Sequence, residues 1–143
     1  MTVPQDYTRA GQVFDKLLTD VADVCGLGTR HQAYAVVYAV LRVFRRRLDA
    51  EQILIFADCL PALLRAMFVN DWLPGEETKP FATLEEYDRE ARLIRQHHNL
   101  MPEGSFKNVA TLIRLQCVPL AFEDALNRLP SGVTDFWKEV GNS

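Results

Sequence analysis

The chain has 143 residues, 48% hydrophobic and 24% charged, the composition of one ordinary soluble domain. A compact fold of that length buries roughly 68–70% of the surface of its unfolded chain, so neither disulfides nor a metal is required to hold it. A net charge of −3 argues against a polyanionic partner, and the longest apolar run, Ala33–Leu41, falls far short of the roughly 20 residues of a membrane helix.

The polar opening, MTVPQDYTRAGQ, lacks the apolar stretch of a signal peptide. Phe14, Leu17, Leu18, Val21, Val24 and Cys25 then follow the three-and-four spacing of one apolar stripe along a helix. GLG at 26–28 ends that helix, because glycine takes the left-handed stop conformation at little cost. Thr29 and Gln32 have the spacing of a capping box for a second helix, with Tyr34, Val37, Tyr38, Leu41, Phe44 and Leu48 inward. Asp49 and Gln52 repeat the device for a third, bearing Ile53, Phe56, Ala57 and Leu60. Pro61 has no amide to donate and suits the first turn of a fourth, whose apolar face is Leu64, Met67 and Phe68.

Two prolines, a glycine and several charges make NDWLPGEETKP (70–80) a loop and the natural seam of the molecule. Thr83 with Glu86 opens a fifth helix through Leu84, Tyr87, Ala91 and Ile94. After the break at NLMPEG (99–104), Ser105 is the expected cap of a sixth helix with Val109, Leu112 and Ile113. Pro119 ends that one. Phe122, Ala125, Leu126 and Leu129 mark a seventh, and Pro130 precedes an eighth with Val133, Phe136, Trp137 and Val140. No segment alternates with period two for long enough to make a strand. The expected fold class is all-α, about eight helices in a single domain 1–143, with repeat one at about 8–69, a loop at 70–82 and repeat two at about 83–140.

The division into repeats rests on an echo. A single offset of 69 residues pairs Ile53 with Phe122, Phe56 with Ala125, Ala57 with Leu126 and Leu60 with Leu129. The same offset pairs Leu64 with Val133, Met67 with Phe136 and Phe68 with Trp137. Every pair is apolar on both sides, whereas Leu54/Glu123, Asp58/Asn127, Cys59/Arg128 and Arg65/Thr134 differ freely, as outer faces do when duplicated halves drift. Upstream, the register calls for a gap of about three residues. The faces Leu60–Phe68 and Leu129–Trp137 are expected to pack the halves together, with 14–68 superposing on 84–137.

YAVLRVFRRRLDAEQ (38–52), LPALLRAMFVNDW (60–72) and the eroded LPSGVTDFW (129–137) resemble the bacterial family catalogued as domain of unknown function 2267. The resemblance spans roughly 14–140. LIRLQCVPLAFED in the second copy lacks the basic run of the first. What the resemblance implies is a two-repeat helical fold and no catalytic residues, since the family has no established activity.

No G-x-S-x-G, P-loop, G-x-G-x-x-G, C-x-x-C or H-E-x-x-H spacing occurs, so no catalytic residue, cofactor or metal site is expected. Ser105 and Ser131 read as helix caps. His97 and His98, about 100° apart on a helix, read as a polar helix end rather than as chelators joined by His31. Cys25, Cys59 and Cys117, odd in number and widely spaced, read as reduced, buried thiols of a cytoplasmic protein. Cys59, beside the Leu60-Pro61 break, is the first candidate for a reactive one.

Two features occur once. Arg42, Arg45, Arg46 and Arg47 suit the negative pole of the second helix and form a possible partner-facing patch. Trp72 is either a lid over the seam or an exposed anchor. The expected function is a non-enzymatic protein-interaction or adaptor domain in the cytoplasm. Its partner is another protein or a second copy in a homodimer, with neither nucleic acid nor membrane expected. The alternative is a small-molecule-binding or enzymatic protein using the groove between the repeats, with a deep pocket lined by His97, Tyr87 or Cys59.

Overall fold

The computed structural model describes residues 2–138, so Val140 lies outside the described residues. Among them are nine α-helices and no strand. These are α1 (Gln5–Thr8), α2 (Ala10–Cys25), α3 (Arg30–Arg45), α4 (Ala50–Ala57) and α5 (Ala62–Val69), then α6 (Leu84–Leu93), α7 (Phe106–Leu115), α8 (Pro119–Asn127) and α9 (Gly132–Phe136). The single turn α1 is an addition to the eight expected helices. No helix among the described residues is long and apolar enough to cross a membrane.

Local chemistry sets most boundaries. Gly26 ends α2 at φ 66°, and both expected capping boxes, Thr29–Gln32 and Asp49–Gln52, are reciprocal. Pro119 does not merely follow α7 but occupies the first turn of α8. Ser105 and Ser131 depart from expectation, since neither hydroxyl caps its helix. The Ser105 hydroxyl instead donates back to the Pro102 carbonyl at 2.7 Å.

The amides entering α7 are served from another helix. Asp88 of α6, buried, accepts from the Gly104 amide at 3.1 Å and the Phe106 amide at 3.2 Å, while Arg92 donates to the same carboxylate at 3.0 Å. A tertiary cap thus replaces the local one. Asp88→Ala strands two amides and an arginine, and we expect it to cost about 2–3 kcal/mol in urea unfolding, against about 1 kcal/mol or less for Ser105→Ala. Equal costs for the two variants would contradict this assignment.

α3 is the axis of the fold, with α2, α5, α6 and α7 around it. From Ala33 to Phe44 its side chains are buried except Tyr34 and Arg42, which are partly exposed. A one-sided stripe therefore understates α3: AYAVVYAVL is apolar all round because the helix is enclosed. Val24, by contrast, is exposed, since neighbouring helices cover a narrower arc of α2 than its spacing allows.

Leu60, Leu64, Met67, Phe68, Val133, Phe136 and Trp137 are buried, and Leu129 is partly buried. The aromatic rings of the α5 and α9 faces share the same neighbours. Phe44 of α3 has its ring centroid 6.2 Å from Phe68 and 5.1 Å from Trp137, and Phe56 of α4 lies 5.2 Å and 5.5 Å from the same two rings. The loop joins in as well. A Cβ on Gly132 would come within 2.5 Å of the Phe81 ring, so α9 starts on a glycine where Phe81 lies against it.

Candidate functional site

Successive residues of a helix point about 100° apart, so the arginines closing α3 diverge. Arg42 donates to the Tyr38 hydroxyl and lies over the Tyr38 ring, which Arg95 covers at 5.5 Å. Arg47 stacks over Tyr87 at 4.9 Å, donates to the Val43 carbonyl at 2.8 Å and pairs with Glu90 of α6. Arg46 and Lys79 each meet the same carboxylate at 2.9 Å. The Lys79 amide also donates to the Arg46 carbonyl at 2.8 Å, so Glu90 fastens the end of α3, the 70–82 loop and α6 together. Burial pushes the Glu90 pKa up, but hydrogen bonds from Lys79, Arg47 and Arg46 more than offset it, and the net shift is below the ordinary carboxylate value.

Arg45 is 2% exposed. Its Nη1 donates to the Phe68 carbonyl at 3.0 Å and the Asn70 carbonyl at 2.7 Å, closing the end of α5. Its Nε and Nη2 are buried with no hydrogen-bond partner among the described residues. Burial lowers its pKa, as does the charge of Arg42, against the pull of Glu76. Arg45, Arg46, Ile53, Trp72 and Glu76 line a cleft of about 220 Å³ between the α3–α4 corner and the loop. Trp72 is partly buried and packs on the core at the cleft's edge.

The expected four-arginine surface therefore needs correction. Arg45 and Arg47 are interior, because an enclosed α3 sends even its last turn into protein, and Arg42 and Arg46 are only partly exposed. Of the possible partner residues, the structure gathers Arg45, Arg46 and Trp72 at one cleft and places Arg42 and Arg47 elsewhere. Glu90 was missed as the hub, although its signal was present: it follows Tyr87 by three and precedes Ile94 by four, on the apolar stripe of α6.

The three histidines, His31, His97 and His98, border a separate open cleft of about 520 Å³. No group of three metal-ligating side chains stands together among the described residues. α6 stops at Leu93, and Arg95 turns the chain at φ 51°, so His97 and His98 sit in a turn and not on a helix end.

Cys59 is buried together with Cys25 and Cys117, as expected of the three thiols, and does not stand on the outer face where the repeat comparison put it. Burial pushes its thiol up to about 12 and raises Cys117 and Cys25 as well. The thiolate is the reacting form. We expect none of the three cysteines to react promptly with a disulfide reagent in the folded protein at mildly alkaline pH, and all three to react in denaturant. One fast thiol in the native state would contradict this.

Fold and site define an all-helical domain around an enclosed central helix, with its buried charges concentrated where that helix meets the central loop. The chain belongs to DUF2267, an uncharacterized conserved protein family, whose profile matches residues 14–136. No curated protein matches the chain.

Proposed function

We propose that this is a non-enzymatic protein-interaction domain built from two related four-helix halves. The halves are supported by a shared contact. Arg45 Nη1 donates to the Phe68 carbonyl at 3.0 Å, and Arg114 Nη1 donates to the Trp137 carbonyl at 2.7 Å, each residue displaced by the same 69 positions. Val40 and Val109, Leu41 and Ala110, and Phe44 and Ile113 are also buried at that offset. These pairs favour a gapless register over the three-residue gap suggested by sequence, and α1 stands outside the scheme.

One observation carries the interaction reading. Leu115, Val118 and Leu120, within six residues at the α7–α8 turn, are 64%, 67% and 83% exposed. Leu54 on the adjoining α4 is exposed too. Scattered surface apolar residues are ordinary, but a concentration on one turn suits a partner with an apolar contact face, or a second copy of the chain. The test is a Val118→Asp, Leu120→Asp double variant compared with wild type by light scattering and by co-purification from the source cells. The variant should keep its fold and lose either the dimer or a specific co-purifying protein. Identical behaviour of the two proteins would refute the reading.

A further inference from the structure

The cleft beneath Trp72 holds an arginine without a charge partner. A buried cation is costly unless paired, yet no carboxylate of the described residues lies within ion-pair distance of Arg45. The two atoms without partners are not arbitrary. Nε and Nη2 carry the parallel N–H bonds of one guanidinium edge, the geometry that receives a carboxylate through both oxygens.

The other half shows how that side of the arginine can be used. Arg114, the counterpart of Arg45, makes the same carbonyl contact through Nη1 and meets Glu123 through Nη2. Sixty-nine residues earlier, the counterpart of Glu123 is Leu54, which has no oxygen to offer. Leu54 is 57% exposed and the Glu123 side chain 55%, so the two positions have similar access to solvent. The first half keeps the arginine and lacks the acid.

We infer that the cleft lined by Arg45, Ile53 and Trp72 binds the carboxylate of a small organic acid, received by the Nε–Nη2 edge of Arg45. The cavity of about 220 Å³ lies below the range of roughly 300–1,000 Å³ typical of drug-sized ligands, so the acid is small. Asp49, Glu76 and Glu77 also line the cleft and oppose Arg45 and Arg46. Arg46 is already paired with Glu90, so these carboxylates outnumber Arg45 and repel a di- or polyanion more than a monoanion. The Asp49 carboxylate is engaged by the Gln52 amide at 2.9 Å. Trp72 supplies an apolar wall.

The probes are sodium acetate and sodium benzoate titrated into nitrogen-labelled protein, with sodium chloride and phosphate at equal ionic strength as controls. The side-chain Nε–H signal of Arg45 and the indole N–H of Trp72 are followed. Saturable shifts with acetate or benzoate, and none with chloride, are expected. Leu54→Glu restores the acid that the second half possesses, and should weaken that response roughly tenfold or more while raising Tm. Arg45→Lys keeps the charge without the edge and should abolish the Trp72 response. Should that variant fail to fold, Glu76→Gln, which removes a carboxylate from the cleft lining itself, decides: it should strengthen the wild-type response to acetate and benzoate, and an unchanged response overturns the proposal. Absence of a saturable shift, an equal response to chloride, or binding of phosphate but not carboxylates overturns the proposal. So does a response confined to Glu76→Gln, which would make Glu76 the resident partner of Arg45.

Discussion

Trp137→Ala will remove about 3–5 kcal/mol, a large share of the roughly 5–15 kcal/mol that holds a domain of this kind. The indole is 1% exposed and touches Phe44, Phe56, Phe122 and Phe136, rings contributed by both halves of the chain. Close packing leaves the cavity unable to collapse fully, so lost contacts add to lost transfer energy. Trp137→Phe separates two effects. The indole Nε1 is buried without a hydrogen-bond partner among the described residues, a cost of about 1–3 kcal/mol that phenylalanine does not carry. The phenylalanine variant should therefore lose about 1 kcal/mol or less relative to wild type, despite its smaller ring. Denaturant unfolding of the three proteins checks both values. A phenylalanine variant as unstable as the alanine variant would show that ring volume alone governs this site.

Glu90→Gln will have the second large effect, about 2–3 kcal/mol at neutral pH. The carboxylate, 15% exposed, is shared by Arg46, Arg47 and Lys79, and the variant leaves all three cations facing an uncharged amide. Arg47 is the worst placed of them, because it is buried over Tyr87 with no second acid of the described residues in ion-pair distance. The pH dependence has a definite sign. Glu90 in the folded state lies below its ordinary value of 4.5, so the unfolded chain binds the proton first as pH falls. Its contribution is complete above that value and is lost as pH drops through the lower, folded-state value. The stability difference between wild type and Glu90→Gln should therefore be constant near neutrality and shrink in acid. A difference that grows as pH falls would contradict the assignment.

How much was legible in the sequence varies from residue to residue. Gly26, Thr29, Gln32, Asp49 and Gln52 act within a few positions of themselves, so their helix ends could be read directly. Ser105 could not, because its role depended on whether a carboxylate elsewhere reached the α7 amides first, and Asp88 does. Phe44 was placed inward, but nothing local made it the ring on which Phe56, Phe68, Phe136 and Trp137 converge. The arginines of α3 were visible as a charge run. Their separation into a carbonyl clamp, a Glu90 pair and a Tyr38 stack was not.

The sequence by itself determined an all-helical chain, most of its helix ends and nearly all of its apolar faces, because period, capping and proline geometry act over three or four residues. Tertiary structure decided which charges are buried and what they meet. α3 had to be enclosed by four other helices before Arg45 could lose its water, and α6 had to dock before Glu90 could gather its three cations. Desolvation and ion pairing depend on distances between residues remote in the chain. The run of letters does not contain those distances until the helices have packed.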